Sequence, residues 1–153
     1  MLLEYKKYLR DDHEHNLAGV VVIYKNKILL VKPKKFKVKM RKWSIPKGHI
    51  ENNSIIQTAL DELREETSLR ITPDVLRASL TDKVTYFKNG VKKDLNYFVV
   101  KIKKKDLDMK LFNNMILGNF LPKGETSEAG FFSKEDAKEL IETNQRVLLK
   151  YLK

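Results

Sequence analysis

The chain has 153 residues, of which 31 are Lys or Arg and 20 are Asp or Glu, so its formal net charge is +11. This length fits one domain with one sizeable core. The absence of cysteine excludes a disulfide framework and a thiolate zinc site. The positive charge fits a polyanionic ligand such as a polyphosphate, a nucleotide or RNA, and it equally fits a solubilising lysine-rich surface.

No apolar run approaches the roughly 18 residues that a membrane span requires. The first 15 residues lack the continuous apolar core of a signal peptide. We therefore expect a single domain over residues 1–153 that works in the cytoplasm and does not bind a membrane. No feature of the sequence indicates an obligate protein partner.

Two apolar segments begin the predicted sheet. Residues 17–24 form an almost continuous run of aliphatic side chains, many of them β-branched, which is typical of a buried central strand. Residues 28–32 predict the next strand, and the short polar stretch at 25–27 predicts a turn between them. The two strands are therefore expected to form a hairpin.

A basic segment follows at residues 32–42, where seven side chains are Lys or Arg. It is either a solvated charge run or a phosphate clamp at the mouth of a site, and its position just before the segment described next favours the clamp. Arg41 and Lys42 are the best candidates for substrate binding. Arginine is especially suited, because its guanidinium group can contact a phosphate through two hydrogen bonds. Trp43 is interpreted as a packing anchor of the loop.

The most informative segment is a predicted helix that begins near Ser54. Ser54 and Gln57 fit a capping box. Glu62, Glu65 and Glu66 fall on one face, where three like charges repel one another. A hard divalent cation such as Mg²⁺ or Mn²⁺ explains their grouping, because such cations take carboxylate oxygens as ligands. The opposite face carries an apolar stripe that can pack on a sheet: Ile56, Ala59, Leu60 and Leu63.

A tight loop with the sequence Pro46-Lys47-Gly48 precedes this helix. A loop that leads into a helix N-terminus favours anions, because free N–H groups and the helix dipole point toward them. Lys47 and Gly48 are therefore candidates for contact with a phosphate group of the substrate.

These residues resemble the Nudix box, the family signature G-x5-E-x7-R-E-U-x-E-E-x-G-U, in which U is a bulky aliphatic residue. Gly48 matches the opening glycine, residues 62–67 match E-U-x-E-E-x, and Leu69 matches the final U. The flanking pattern W-x-x-P-K-G-H-x-E is most similar to the diadenosine-polyphosphate, diphosphoinositol-polyphosphate and RNA-decapping branches.

Three positions depart from the signature, and the segment is one residue shorter than the signature between Gly48 and Glu62. Asn53 or Ser54 stands where the family has its first glutamate, Asp61 replaces the arginine, and Ser68 replaces the closing glycine. In the family the first glutamate and the arginine pair with each other. Their joint loss leaves no unpaired partner, and the three metal-facing glutamates remain.

The resemblance implies an α/β/α sandwich with a mixed sheet and a metal-dependent pyrophosphatase. The expected metal ligands for Mg²⁺ or Mn²⁺ are Glu62, Glu65 and Glu66, and the general base is expected to be Glu65 or Glu125. The expected substrate is a dinucleoside polyphosphate, a capped RNA 5′ end or a diphosphoinositol. The alternative is a catalytically impaired module that binds nucleotide or RNA.

The rest of the chain predicts a second hairpin. A turn is expected at residues 72–74, a strand at 75–88, and a return strand at 95–102. Asn89-Gly90 supplies the positive φ angles of a tight turn between them. Tyr97, like its neighbour Tyr86, is either a packing residue or part of the substrate cleft, and Tyr97 is included among the predicted substrate-binding residues.

The C-terminal third predicts an irregular region at 103–124 and then a strand and a helix. Glu125 lies six residues before Phe131, an offset that resembles the position of a further catalytic carboxylate in the family, and Glu128 is the alternative. Ser133 is expected to cap a final helix with an apolar stripe that reaches Tyr151. Helices after the first strands and at the chain end are expected to cover both faces of a mixed sheet.

Overall fold

The computed structural model describes residues 15–34, 42–51, 54–124 and 126–153. Within these ranges the strands are β1 (Asn16–Tyr24), β2 (Lys27–Pro33), β3 (Lys47–His49), β4 (Leu80–Lys88), β5 (Val91–Ile102), β6 (Leu111–Phe112), β7 (Met115–Ile116) and β8 (Thr126–Phe132). The α-helices are α1 (Ile55–Thr67), α2 (Pro73–Arg77) and α3 (Lys134–Leu140). Short 3₁₀ segments cover Lys104–Asp106, Gly118–Phe120 and Thr143–Tyr151.

The strands form one mixed sheet in the order β4-β5-β1-β2-β8-β7-β6, with β3 paired to β1 outside this path. β1 and β5 run parallel, and the other paired strands run antiparallel. Helices α1 and α2 pack on one face, while α3 and the last 3₁₀ segment pack on the other. The predicted α/β/α sandwich is confirmed.

β1 lies near the middle of the sheet, and its side chains alternate between two cores. Ala18, Val20 and Val22 face the core under α1. Val21 and Ile23 face the core under α3. Because helices cover both faces, the strand reads as a continuous apolar run, as the sequence predicts.

Both predicted hairpins are present. β1 and β2 pair through Ile23 and Ile28, and the turn between them has positive φ angles at residues 25 and 26. β4 and β5 pair up to Lys88 and Val91, and Asn89-Gly90 forms the turn with φ angles of 53° and 77°. β5 begins four residues earlier than predicted, so the hairpin closes directly at its turn.

The predicted strand over 75–88 is wrong in its first five residues. The structure has the short helix α2 there, and β4 begins only at Leu80. The Thr72 side chain accepts a hydrogen bond from Val75 N, and Pro73 lies at the first helical position. Both features are helix-start signals. Leu76 is fully buried, so packing against the core under α1 stabilises this single helical turn.

The predicted final helix is also interrupted. α3 ends at Leu140, and Ile141 has extended backbone angles before the 3₁₀ segment starts. Here the backbone of Trp43 takes the place of helical partners: Trp43 N donates to Leu140 O at 3.0 Å, and Glu142 N donates to Trp43 O at 2.9 Å. The Trp43 ring packs edge-on against Phe132, with 4.9 Å between ring centroids, which supports its interpretation as a packing anchor.

A buried glutamine joins this C-terminal segment to the loop before β3. Gln145 is fully buried; its Oε1 accepts from Ile45 N at 3.0 Å, and its Nε2 donates to Ser44 Oγ at 3.0 Å. A buried N–H without a partner is costly, so this amide fixes the path of the loop. No helix in the described part of the chain is long and apolar enough to cross a membrane.

Replacing Gln145 with leucine is expected to lower the free energy of unfolding by about 1–3 kcal/mol, because Ile45 N–H loses its buried acceptor. In a domain of this size the melting temperature should then fall by roughly 2–12 °C. Thermal and urea unfolding measure the effect. Arg146→Leu, at the neighbouring exposed position, is the control, and an equal loss in both variants would show that the buried amide is not the cause.

Candidate active site

The loop at residues 45–47 lies directly on β1. Val20 N donates to Pro46 O at 3.1 Å, and a Cβ atom at Gly19 would come within 2.6 Å of the same oxygen. β3 then pairs antiparallel with the start of β1, with Gly48 opposite Ala18. The glycine at position 19 thus allows the close approach that brings Lys47 and Gly48 toward α1.

α1 begins and ends with specific backbone interactions. The Ser54 side chain accepts from Gln57 N at 3.0 Å, which confirms Ser54 as the cap. The Gln57 side-chain amide donates to Asp61 Oδ1, so the structure supports the serine half of the predicted capping box. At the other end Ser68 takes the left-handed conformation, with φ 68°, that a glycine usually adopts at this position. Its N–H donates to Arg64 O at 2.9 Å, and its hydroxyl donates to Phe120 O at 2.5 Å. The serine therefore keeps the helix end that the signature's glycine supplies.

Two of the three glutamates on α1 form a contact pair. Glu66 is 9% exposed, and its Oε2 accepts from Lys47 N at 3.2 Å. Its carboxyl group is also hydrogen-bonded to that of Glu62. A hydrogen bond between two carboxyl groups requires a proton on one of them. Lys47, on the adjoining strand, thus fixes the orientation of the pair through its backbone.

The environment of Glu66 opposes its ionisation. Burial raises the pKa of Glu66 most, and the hydrogen bond and negative charge of Glu62 raise it further. The positive charge and the N–H of Lys47 act in the opposite direction without cancelling these effects. The pKa of Glu66 therefore lies well above its ordinary value of 4.5, so the metal-free pair retains a proton at neutral pH.

Glu65 lies apart from this pair. Its side chain is 60% exposed, and its Oε1 lies 4.0 Å from an Arg64 guanidinium nitrogen. In the described ranges, no three acidic, histidine or cysteine side chains converge on a point where they alone could hold a metal ion. Glu62 and Glu66 are in contact as the helical spacing predicts, whereas Glu65 faces the adjoining cavity.

That cavity, of about 580 Å³, lies beside α1 and β3. Its lining is predominantly polar and includes four carboxylates, one lysine and one histidine. The lining residues with ionisable side chains are Glu51, Asp61, Glu62, Glu65, Lys47 and His49. Glu51 and His49 were not among the predicted site residues, although the flanking pattern W-x-x-P-K-G-H-x-E contains both.

Asp61 occupies the place of the signature's arginine and has cationic and amide partners. Its Oδ1 accepts from Gln57 Nε2 at 2.8 Å and lies 3.7 Å from an Arg64 guanidinium nitrogen. These contacts keep the Asp61 carboxylate beside two polar side chains of the same helix. The exchange of arginine for aspartate therefore adds a carboxylate to the cavity lining without leaving it unpartnered.

Gly48 lines the cavity beneath Glu62, and a Cβ atom at position 48 would overlap the Glu62 carboxylate. Because Gly48 has no side chain, it leaves the space that the Glu62 carboxylate occupies. Lys42 is half-buried beside Trp43 and is not one of the residues lining the cavity. The prediction that Lys42 binds substrate gains no support from this placement.

The predicted substrate contact of Tyr97 needs correction. Tyr97 is 2% exposed, its ring packs in the core under α3, and its hydroxyl lies 2.8 Å from that of Tyr151. A ring buried in this way is a core residue and offers no face to a substrate. The alternation of β5 explains the result, because position 97 shares the inward face with Leu95.

Two predicted site residues, Arg41 and Glu125, lie outside the described residues. The alternative to Glu125 was Glu128, which pairs with Lys32 at 3.6 Å and does not line the cavity.

The donor set of the glutamate pair fits a hard divalent cation. Mg²⁺ is commonly held by one or two carboxylates together with waters and substrate phosphates, and it does not need a cage made only of protein groups. The contact pair of the buried Glu66 and the half-buried Glu62 provides oxygen ligands and a negative charge that a cation would balance. Glu62 and Glu66 are therefore the residues best placed to hold Mg²⁺ or Mn²⁺.

The chain is similar to known proteins over most of its length. The family model described as NUDIX domain matches residues 13–152. No curated protein sequence matches the chain significantly.

Several solved structures share the fold. A binary complex of the Ap4A hydrolase of C. elegans has a TM-score of 0.62 and 21% identity, covering 88% of this chain and 92% of that one. A NUDIX hydrolase from Nitrosomonas europaea has a TM-score of 0.66 and 17% identity, covering 90% and 86%. A bifunctional NMN adenylyltransferase/ADP ribose pyrophosphatase from Francisella tularensis, complexed with AMP and a manganese ion, has a TM-score of 0.58 and 17% identity, covering 98% and 42%.

Proposed function

Because the chain belongs to the NUDIX family and is a pyrophosphohydrolase, we propose that it cleaves a phosphoanhydride bond with Mg²⁺ or Mn²⁺ held by Glu62 and Glu66. The observation that carries this proposal is the contact pair of carboxyl groups at the edge of a polar cavity. A structural helix would gain nothing from such a pair, because burial and mutual repulsion oppose its ionisation.

When bound, the metal ion would neutralise phosphate charge and lower the pKa of an attacking water. The residues of the chain prepare the site for this. Lys47 N–H holds one oxygen of Glu66, and Gly48 leaves space for the carboxylate of Glu62. Glu65 is exposed in the cavity and is a carboxylate, so it can accept a proton from a water molecule there. Glu125 remains the alternative base.

One lysine and one histidine of the cavity lining explain how a phosphate group enters an acidic site. Lys47 and His49 line the cavity beside the carboxylates. A phosphate between them and a bound cation would be neutralised from two sides. Arg41 remains a predicted phosphate-binding residue.

The proposed substrates are a dinucleoside polyphosphate, a capped RNA 5′ end or a diphosphoinositol. The flanking pattern W-x-x-P-K-G-H-x-E supports these classes. One similar structure is an Ap4A hydrolase, and another is complexed with AMP and manganese.

The test is hydrolysis of a panel that contains diadenosine tetraphosphate, capped RNA, a diphosphoinositol and ADP-ribose. We expect turnover of at least one compound with Mg²⁺ or Mn²⁺ and none when EDTA is in excess. We also expect Mn²⁺ to raise the melting temperature, because a ligand that binds only the folded state stabilises it by about 2.7 kcal/mol at a hundred times its Kd. Nucleotide or RNA binding without any turnover would instead identify a binding module.

A further inference from the structure

A second groove adjoins the acidic cavity. It has a volume of about 340 Å³ and is lined by Leu17, Lys47, His49, Tyr86, Lys88, Asn89, Val91 and Lys93. Three of these residues, Leu17, Lys47 and His49, also line the acidic cavity. The two depressions therefore meet at β3, and a ligand can extend from one into the other.

The groove is built by one face of the β4–β5 hairpin. Tyr86 pairs with Lys93 and Lys88 pairs with Val91, so these four side chains point to the same side of the sheet. On the other side of the groove, His49 of β3 pairs with Leu17 of β1. Lys88 and Val91 form the last pair of the ladder before the tight turn at Asn89-Gly90.

The charges of the two depressions are opposite. Four carboxylates line the cavity, whereas the described residues that line the groove include three lysines and a histidine but no acid. A phosphate chain that extends beyond the cleaved anhydride would be repelled by the carboxylates and attracted by the lysines. The boundary between the two regions is Lys47 and His49, which belong to both.

Tyr86 adds a neutral hydrogen-bond donor to the groove. Burial, and to a smaller extent the negative charge of Glu142, raises the pKa of Tyr86 to about 12. Its hydroxyl group therefore stays protonated at neutral pH and can donate to a phosphate oxygen. Glu142 itself does not line the groove.

We propose that this groove binds the phosphate groups of the substrate that lie beyond the cleaved diphosphate. The substrate class would then be a polyphosphate with at least three consecutive phosphates, and compounds joined by a diphosphate alone would bind less tightly. This inference rests on the proposed function for the position of the cleaved bond. A dinucleoside polyphosphate and a 5′-triphosphorylated RNA end share the required chemistry.

Lys88→Glu tests the groove, and Lys92→Glu is its matched control. Both lysines are exposed on the same hairpin, but Lys92 points to the opposite face of the sheet. For diadenosine tetraphosphate, K88E should raise KM by about tenfold with little change in kcat. For ADP-ribose, K88E should change KM less than about twofold, and K92E should leave both substrates nearly unaffected. The proposal would be overturned if K88E and K92E raised KM for diadenosine tetraphosphate equally. It would also be overturned if K88E raised KM equally for diadenosine tetraphosphate and ADP-ribose.

Binding measurements separate this inference from the proposed function. Calorimetric titration with inorganic tripolyphosphate and with pyrophosphate needs no turnover. K88E should weaken tripolyphosphate binding about tenfold more than pyrophosphate binding, even if the wild-type protein hydrolyses nothing. Parallel titrations with a 5′-triphosphorylated oligonucleotide and with diadenosine tetraphosphate show which of the two polyphosphates binds more tightly. Unchanged tripolyphosphate affinity in K88E would refute the groove while leaving the catalytic proposal intact.

Discussion

Replacing Glu66 with glutamine is expected to lower kcat by at least about a hundredfold, because the variant loses a negatively charged ligand of the proposed metal. The fold should be retained. Glutamine keeps a side-chain oxygen that can accept from Lys47 N, and it removes the buried carboxyl group that Glu62 repels. Steady-state kinetics with Mn²⁺ and circular dichroism measure the two effects. Glu139→Gln, an exposed change on α3, is the control.

The pH dependence of stability adds a test of the same variant without metal. The folded state raises the pKa of Glu66 above its ordinary value of 4.5, so the folded protein binds the proton more tightly than the unfolded protein does. The contribution of Glu66 to the free energy of unfolding is thus greatest below pH 4.5 and falls as the pH rises toward the folded-state pKa. E66Q should lack this decline. Wild-type turnover by E66Q would show that Glu66 is not a metal ligand. A decline of its stability with pH as steep as that of the wild type would show that Glu66 is not the carboxyl group of raised pKa.

Replacing Gly48 with alanine is expected to reduce kcat by about one to two orders of magnitude, because the new methyl group takes the space of the Glu62 carboxylate. Glu62 is a long and partly exposed side chain, so it can move away without disrupting the core. The loss should therefore appear in turnover and in Mn²⁺ affinity, with little change in melting temperature.

Gly118→Ala is the matched control for this variant. Gly118 has open space around its Cα and no positive φ angle, so a methyl group there meets nothing. Kinetics, Mn²⁺ titration and thermal unfolding should be compared for both alanine variants. Normal turnover of G48A would mean that the position of Glu62 does not matter for the reaction.

The elements with a strong hydrophobic pattern or with clear turn and cap residues were predictable from the sequence. β1 reads as buried because both of its faces pack on helices, and Asn89-Gly90 fixes the second hairpin through its positive φ angles. The helix α1 and its cap at Ser54 follow from local spacing alone. Each of these features depends on residues within a few positions of one another.

The elements that depend on distant partners were not predictable. α3 stops at Leu140 because Trp43, far away in the chain, hydrogen-bonds to the backbone there. Tyr97 was placed in the substrate cleft because its strand was known but its inward face was not. Likewise the helical spacing groups three glutamates, but only the tertiary structure shows that Glu62 and Glu66 make contact while Glu65 turns outward.

The parallel pairing of β1 with β5 has a consequence for how the protein folds. Asn96 Nδ2 donates to Leu17 O across 79 residues, and Gln145 reaches Ser44 across 101. The chain must lose the entropy of closing large loops before these contacts can stabilise it. The high contact order should therefore make folding slow, on the order of milliseconds to seconds. The loop that carries Lys47 and Gly48 is held by these same long-range contacts. A nascent chain would therefore contain β3 and the glutamates of α1 well before Gln145, which fixes the loop ahead of β3. Catalytic competence should emerge only after the segment that carries Gln145 has packed.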